Sequence, residues 1–528
     1  MSLLPFLAIT FGAAAAAFFV RNLPRLSLAI GLLGLLAATV VGLTIVPGDD
    51  LTIAGVRGIQ TTEFGRLFVV LGCGTGLLTV LVGLATAWQP NLPTALLAGF
   101  GALGLGLAIG DPIVALVVLV AGALVGSMVT LARPITVRAI GVAAREFRAI
   151  AVAGALALLG MAWIARPLGP RTLEPAMFGL AYLLVAVAVG LRFGALPLHR
   201  WAARLAAAAP ETALPLLLAW APAAFAVVAL AWMDRSIAPL LVPLDVERGI
   251  VVAIGAASIV LGGAAAWLQD DLEHVVGYSI LQDSGFVILG LAILDPAAWQ
   301  PTRTWLLVFV LVKTAFAAWA VAVRVRFGTR QIPELAGWAR RSPLLVASLV
   351  LIAVGTIGVP GLLAWDVRDR LITLTLGSGL MHVLVGLGGL LSLTYYLRLA
   401  LVGRKPASSL VRAAPGDVPA RHGHRKPAGG GHEELAGGEQ PELAGRQPQE
   451  SAPALARTEA MVVQTWHANR APIAATGVLL LSLIAVAAGA GWLGVPAAAT
   501  AVAPEPPPPG GAPSDGGGGP SFQPIGTP

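Results

Sequence analysis

Long apolar runs separated by short polar connections fill the chain from its first residues to about position 401. A helix needs about 20 apolar residues to cross a bilayer. Segments meeting that pattern fall at 3–20, 26–46, 66–88, 92–109, 112–132, 147–165, 174–197, 212–233, 248–268, 275–294, 303–323, 344–366, 379–401 and 471–493. The pattern predicts an all-α polytopic membrane protein with about fourteen transmembrane helices. The first run has no charged residue before it and no small-residue cleavage site after it, so it is expected to be a span and not a cleaved leader.

Polar positions divide the rest. Residues 1–110 group as N-terminal helices, 111–401 as a transmembrane core and 466–495 as a last helix. Between them, 402–465 is rich in Gly, Pro and charge and is expected to be a disordered cytoplasmic loop, as 496–528 is a disordered Pro/Gly tail. His422, His424 and His432 lie in that loop and read as solvated, not as metal ligands. Arginine concentrates in the odd-numbered connections, which positive-inside bias assigns to the cytoplasm; both termini are then expected outside. The acidic connection "QDDLEH" is the exception.

Composition narrows the class. Of 528 residues, 57% are hydrophobic and 12% charged, and the mean hydropathy is +0.83, which excludes a soluble domain. The net charge of +7 is therefore no nucleic-acid footprint, and no nucleic-acid partner is expected. Cys73 is the only cysteine, so an internal disulfide or a cysteine-ligated metal site is excluded; it reads as a small packing residue.

Charge inside the apolar runs is the candidate chemistry, because an ionisable group in a span faces the protein interior or a cavity. Arg192 ends the seventh run in "RFGALPLHRW", followed by Pro197 and His199. Asp283 sits in the tenth run, Lys313 in the middle of the eleventh, and Arg368 follows the twelfth. That twelfth run carries Gly355, Gly358, Pro360 and Gly361, so it is expected to break, as the seventh does at Pro197. Two broken helices five spans apart, each with a basic residue, predict two inverted five-helix repeats.

At these residues the chain resembles the antiporter-like membrane subunits of respiratory complex I, the N-type subunit most closely. "LRFGALPLHRWAARLAAAAPETALPLLLAWAPAAF" resembles that family's F-K-x-x-x-x-P-F-H-x-W, A-P-T and A-P-K-A-A. "LQDDLEHVVGYSILQDSG" resembles its Q-x-N-L-K-R-L-L-A-Y-S-S-I-x-H-x-G. "GTIGVPGLLAWDVRDRLI" and "TYYLRLAL" resemble its S-L-x-G-I-P-P-x-x-G-F-x-x-K and Y-Y-x-L-R. The resemblance implies a membrane subunit without a redox centre in a bacterial inner (cell) membrane. The resemblance further implies that such a subunit helps couple quinone reduction to proton translocation, with quinone and NADH handled by partner subunits and no cofactor expected on this chain. It equally fits a related cation/proton antiporter, membrane-bound hydrogenase or inorganic-carbon uptake assembly.

Residue by residue, the family's lysines fall on Arg192, Ala223 and Arg368, its histidine on Asp283, and its basic pair on Glu273 and His274; His199 and Trp201 match. The fifth run has no counterpart of the family's glutamate. Lysine can take and release a proton when buried, whereas arginine effectively cannot. Lys313 is left as the one intramembrane lysine, able to couple to Asp283 if their spans adjoin. A scaffold subunit that has lost conduction is the alternative of a different class.

Overall fold

The computed structural model describes residues 2–406 except 49, 54–55, 84–88, 131–136, 166–174, 211, 241, 359, 361 and 378. Gly361, most of the 402–465 stretch with its three histidines, the 466–495 segment and the tail lie outside the described residues.

The elements run α1 (Leu4–Phe19), α2 (Pro24–Leu43), β1 (Asp50–Ile53), β2 (Val56–Gln60), α3 (Glu63–Gly83), α4 (Leu92–Ala108), α5 (Pro112–Gly126), α6 (Val137–Ile164) and α7 (Pro175–Phe193). There follow α8 (Arg200–Ala208), α9 (Ala221–Ser236), α10 (Asp245–Leu268), α11 (Leu272–Ile293), α12 (Pro296–Phe327), α13 (Trp338–Arg341), α14 (Pro343–Ile357), α15 (Leu363–Leu376) and α16 (Leu380–Arg404). Among the described residues, ten helices are long and apolar enough to cross a membrane, with α1, α4 and α14 as shorter apolar helices. The protein is thus an all-α polytopic membrane protein, and each expected segment up to residue 401 overlaps a helix among the described residues.

Helix starts follow local chemistry. Asp111, Asp271 and Asp295 each precede a helix and accept hydrogen bonds from its first free backbone N–H groups. Proline at the first or second position opens α1, α2, α4, α5, α12 and α14, where its missing N–H costs nothing.

Four features depart from the sequence reading. Strands β1 and β2 form an antiparallel hairpin in the connection before α3, where "DLTI" and "VRGIQ" carry β-branched residues. Helix α6 begins at Val137 and not near 147, so Arg145, Glu146 and Arg148 are helical; Glu146 is buried while the two arginines are exposed. A π-helical turn, Leu216–Trp220, leads into α9. The seventh run ends its helix at Phe193, before Pro197, with Gly194 at φ 66° and the chain turning until α8 begins.

The core is organised about α12, which packs against α3, α9, α11, α14 and α15 and whose most apolar window is entirely buried. Close approach of α10 and α11 rests on glycine: a Cβ at Gly285 would stand 2.6 Å from the Gly255 carbonyl oxygen. Outward faces of α2, α10 and α16 expose Leu33, Leu36, Leu261, Leu268, Leu384 and Leu387, as hydrocarbon-facing helices do.

The acidic "QDDLEH" connection is neutralised in place. Glu273 is buried and bridged by Arg330 at 2.6 Å and Arg324 at 3.5 Å. Asp271 pairs with Arg330 at 3.0 Å, and Asp270 with Arg398, which also donates to the Trp267 carbonyl. Burial pushes the Asp271 carboxyl up, but bonds from His274 and the Glu273 N–H, with the Arg330 charge, hold it below the usual carboxylate value.

Candidate functional site: two buried charge clusters at the helix breaks

Asp283 on α11 and Lys313 on α12 face each other across the packed pair of helices. Lys313 Nζ lies 2.6 Å from Asp283 Oδ2, with side-chain exposures of 0% and 2%. The Trp305 indole N–H donates to the Asp283 carbonyl oxygen at 3.0 Å, fixing the turn of α11 that carries the carboxylate.

Arg368 is the third charge of this cluster. It stands on α15 just past the break at 358–362 and folds back against α14. Its Nη1 donates to the carbonyl oxygens of Thr356 at 2.8 Å and Ile357 at 3.0 Å. Those carbonyls end α14 and have lost their helical partners, so a cation there satisfies both the bonds and the helix dipole. The guanidinium also lies over the rings of Phe286 (4.5 Å) and Trp305 (5.6 Å). The Asp283 carboxylate acts electrostatically on both Lys313 and Arg368, one anion facing two cations. Gly358 closes α14 at φ 72°, and Pro360 lies in the turn between the half-helices.

Arg192 anchors the second cluster, at the end of α7. It is buried, and its Nη1 donates to the Leu217 carbonyl oxygen at 3.2 Å, inside the π-helical turn. The carboxylate whose field acts on it is Glu146 of α6, itself buried. Counting spans assigned Glu146 to a connection, because the polar start of α6 hid the helix.

A hydrogen bond joins the neighbourhoods of the two clusters. Trp220, the last residue of the π-helical turn, donates its indole N–H to Thr314 Oγ1 at 3.0 Å, and Thr314 adjoins Lys313. Edge contacts with Phe68 (4.8 Å) and Phe100 (5.6 Å) hold the Trp220 ring. Ala223, where the family has its middle lysine, is buried on α9 and offers only a methyl group.

His199 stands apart from both clusters. It precedes α8, half-buried, with its ring 6.4 Å from that of Tyr278. Trp201 ties α8 back to α7 through its indole N–H and the Leu191 carbonyl oxygen, 3.0 Å apart. Cys73 is buried in α3. No group of three or more metal-ligating side chains occurs among the described residues.

Helices interrupted at buried cations, packed with a helix whose most apolar window is enclosed, define a class of multi-pass membrane protein. Residues 147–393 match the family model described as NADH:quinone oxidoreductase/Mrp antiporter, transmembrane region, which covers both breaks and all three charges of the Asp283 cluster. Over those residues, just under half of the chain, it is similar to the antiporter-like membrane subunits of complex I and Mrp assemblies. NADH-quinone oxidoreductase subunit N of Nitrosomonas europaea is 26% identical over 252 residues, 47% of this chain and 51% of that protein. The chain thus spans about half the length of the curated relatives it matches. A chain of respiratory complex I from Thermus thermophilus superposes with a TM-score of 0.61 at 20% identity, covering 91% of this chain and 97% of its own. A chain of the membrane-bound sulfane sulfur reductase, an archaeal respiratory complex, gives 0.65 at 15% identity, covering 91% and 99%. These likenesses establish the fold.

Proposed function

We propose that this chain is an N-type membrane-arm subunit of a proton-translocating, complex I-like quinone oxidoreductase, coupling electron transfer elsewhere in the assembly to proton movement. The observation that carries the reading is the buried Lys313–Asp283 pair beside a broken helix. Quinone and NADH belong to partner subunits, and this chain holds no cofactor of its own. The reading extends to a bacterial inner membrane, fourteen spans in two inverted repeats, termini outside and the 402–465 loop in the cytoplasm.

Proton exchange is confined to groups that can release a proton. In the resting pair Lys313 is an ammonium and Asp283 a carboxylate. Transfer of one proton from Nζ to Oδ2 leaves an amine and a carboxylic acid, with Arg368 as the remaining charge. Asp283 can then pass that proton on and recover its negative charge, while Lys313 takes up another. Arg368 and Arg192 keep their protons throughout and act through their fields and hydrogen bonds. Asp283 Oδ1 and Arg192 Nη2 are buried without a hydrogen-bond partner among the described residues, which favours ordered water beside them.

The test is proton pumping by the intact assembly in proteoliposomes, with Lys313→Ala and Asp283→Asn. The expected result is fewer protons moved per quinone reduced in both variants. Unchanged pumping in both removes the relay and favours a second reading, a scaffold subunit that conducts nothing; Ala223 and the two arginines at lysine positions support that reading. Identification of the copurifying subunits separates a quinone oxidoreductase from an Mrp-type antiporter, a hydrogenase or a carbon-uptake assembly.

A further inference from the structure

A cleft of about 220 Å³ opens between α15 and α16, with Arg368 among its lining residues. Ile357, Trp365, Arg368, Asp369, His382 and Leu387 are among the residues that line it. The His382 ring nitrogen Nε2 is 3.8 Å from Asp369 Oδ1. Beyond these three polar residues the lining is hydrocarbon. The rim, from Leu380 through Met381, Val383 and Leu387, is exposed.

We propose that this cleft holds one acyl chain of a membrane lipid, its terminal part against Ile357 and Arg368 and its head-group end at the level of His382.

Depth, width and lining favour that occupant. The lining along α16 runs from His382 to Leu390, about 12 Å at the rise of a helix. It begins within a turn of the α15–α16 connection, where the chain reverses at one membrane face, so the cleft runs inward from that face. One leaflet of the hydrocarbon core is about 15 Å deep. The volume is too small for a helix about 10 Å across. Gly386 narrows nothing, because no atom lies within 4 Å of a Cβ built there. In a bilayer the alternative to a chain in such a space is a void, whose lining would forfeit its dispersion contacts.

The site would fill the space beside the 358–362 break while leaving Arg368 on the Thr356 and Ile357 carbonyls. The inference stands whether or not the chain conducts protons.

Trp365 makes the cleft observable. The intact assembly is reconstituted into bilayers of phosphatidylcholine brominated at mid-chain, and tryptophan fluorescence is compared with that in unbrominated lipid. Subtracting the Trp365→Phe signal isolates the Trp365 contribution. The expected result is strong bromine quenching of that contribution, most of which is lost in Gly386→Leu, whose side chain occupies the cleft. Gly386→Ala gives a smaller loss and serves if the leucine variant assembles poorly. Absence of bromine quenching of Trp365 overturns the proposal, as would an empty cleft or one covered by a neighbouring subunit. Quenching that persists undiminished in both Gly386 variants also overturns it, because lipid then reaches Trp365 by another route.

Discussion

Lys313 and Asp283 form an ion pair at 2.6 Å with essentially no exposure, on helices adjacent in the sequence. Removing one partner strands a charge in a low-dielectric interior. Lys313→Met alone is therefore expected to destabilise the protein by about 3–5 kcal/mol, and the double variant Lys313→Met, Asp283→Leu by much less. Thermal unfolding of the detergent-solubilised protein measures both; equal losses would contradict the pairing.

Arg368 holds two terminal carbonyls of α14 with one nitrogen and stacks on two aromatic rings. Lysine keeps the charge but lacks the planar fork. Arg368→Lys is expected to lose about 1.5–3 kcal/mol, the worth of a hydrogen bond to a charged group. Hydrogen exchange of the backbone around the 358–362 break should rise in the same variant.

The Trp220–Thr314 bond should appear as coupling between two otherwise conservative changes. Trp220→Phe and Thr314→Val are each expected to cost about 1 kcal/mol. Their double variant should fall short of the sum by at least about 0.5 kcal/mol, as for residues in direct contact. Strict additivity in a double-mutant cycle would remove the bond.

Two glycines should behave oppositely. A Cβ at Gly285 meets the Gly255 carbonyl and Ile259 of α10, so Gly285→Ala is expected to cost about 1–3 kcal/mol by overpacking. Gly386 has open space in the same test, and Gly386→Ala should be stabilising by about 0.5–1 kcal/mol through helix propensity. Melting temperatures of the two variants check the sign of each.

Acid should weaken the connection between α10 and α11. The Asp271 carboxyl titrates below its ordinary 3.8 in the folded protein. Its contribution is complete above the unfolded value and is lost as the pH falls toward the lower folded value. Asp271→Asn should flatten this part of the acid limb in a pH titration of stability, leaving neutral-pH behaviour nearly parallel.

Apolar length and proline or glycine breaks made the helices legible, since both are one-dimensional signals. The Lys313–Asp283 pair was legible as two rare charges in adjacent spans, though their distance needed the packing of α11 on α12. Glu146 was missed because polar "VRAIGVAAREFR" resembles a connection, yet its glutamate is a buried position, as Val142 is, in the start of an amphipathic helix. The π-helical turn had no sequence signal: "LLLAW" is compatible with any apolar helix, and the extra backbone offset shows only in three dimensions. The hairpin of β1 and β2 was hidden by the dominance of helical runs on either side. Opposite Glu273 and Asp271 stand arginines from α12 and the segment after it, so the charge exception at "QDDLEH" resolves through long-range pairs that counting by connection does not see.

Helix α12 has no side left for lipid. During synthesis a segment this apolar enters the bilayer as a span, and only later do α14 and α15 enclose it. Its lysine would then cross the hydrocarbon alone, at a cost of about 2.5–3.5 kcal/mol for a charge at the helix centre. Because α11 leaves the ribosome immediately before it, carrying Asp283, the two can integrate as a hairpin whose charges already cancel. The ion pair thus gives the nascent chain an order of assembly as well as a folded core.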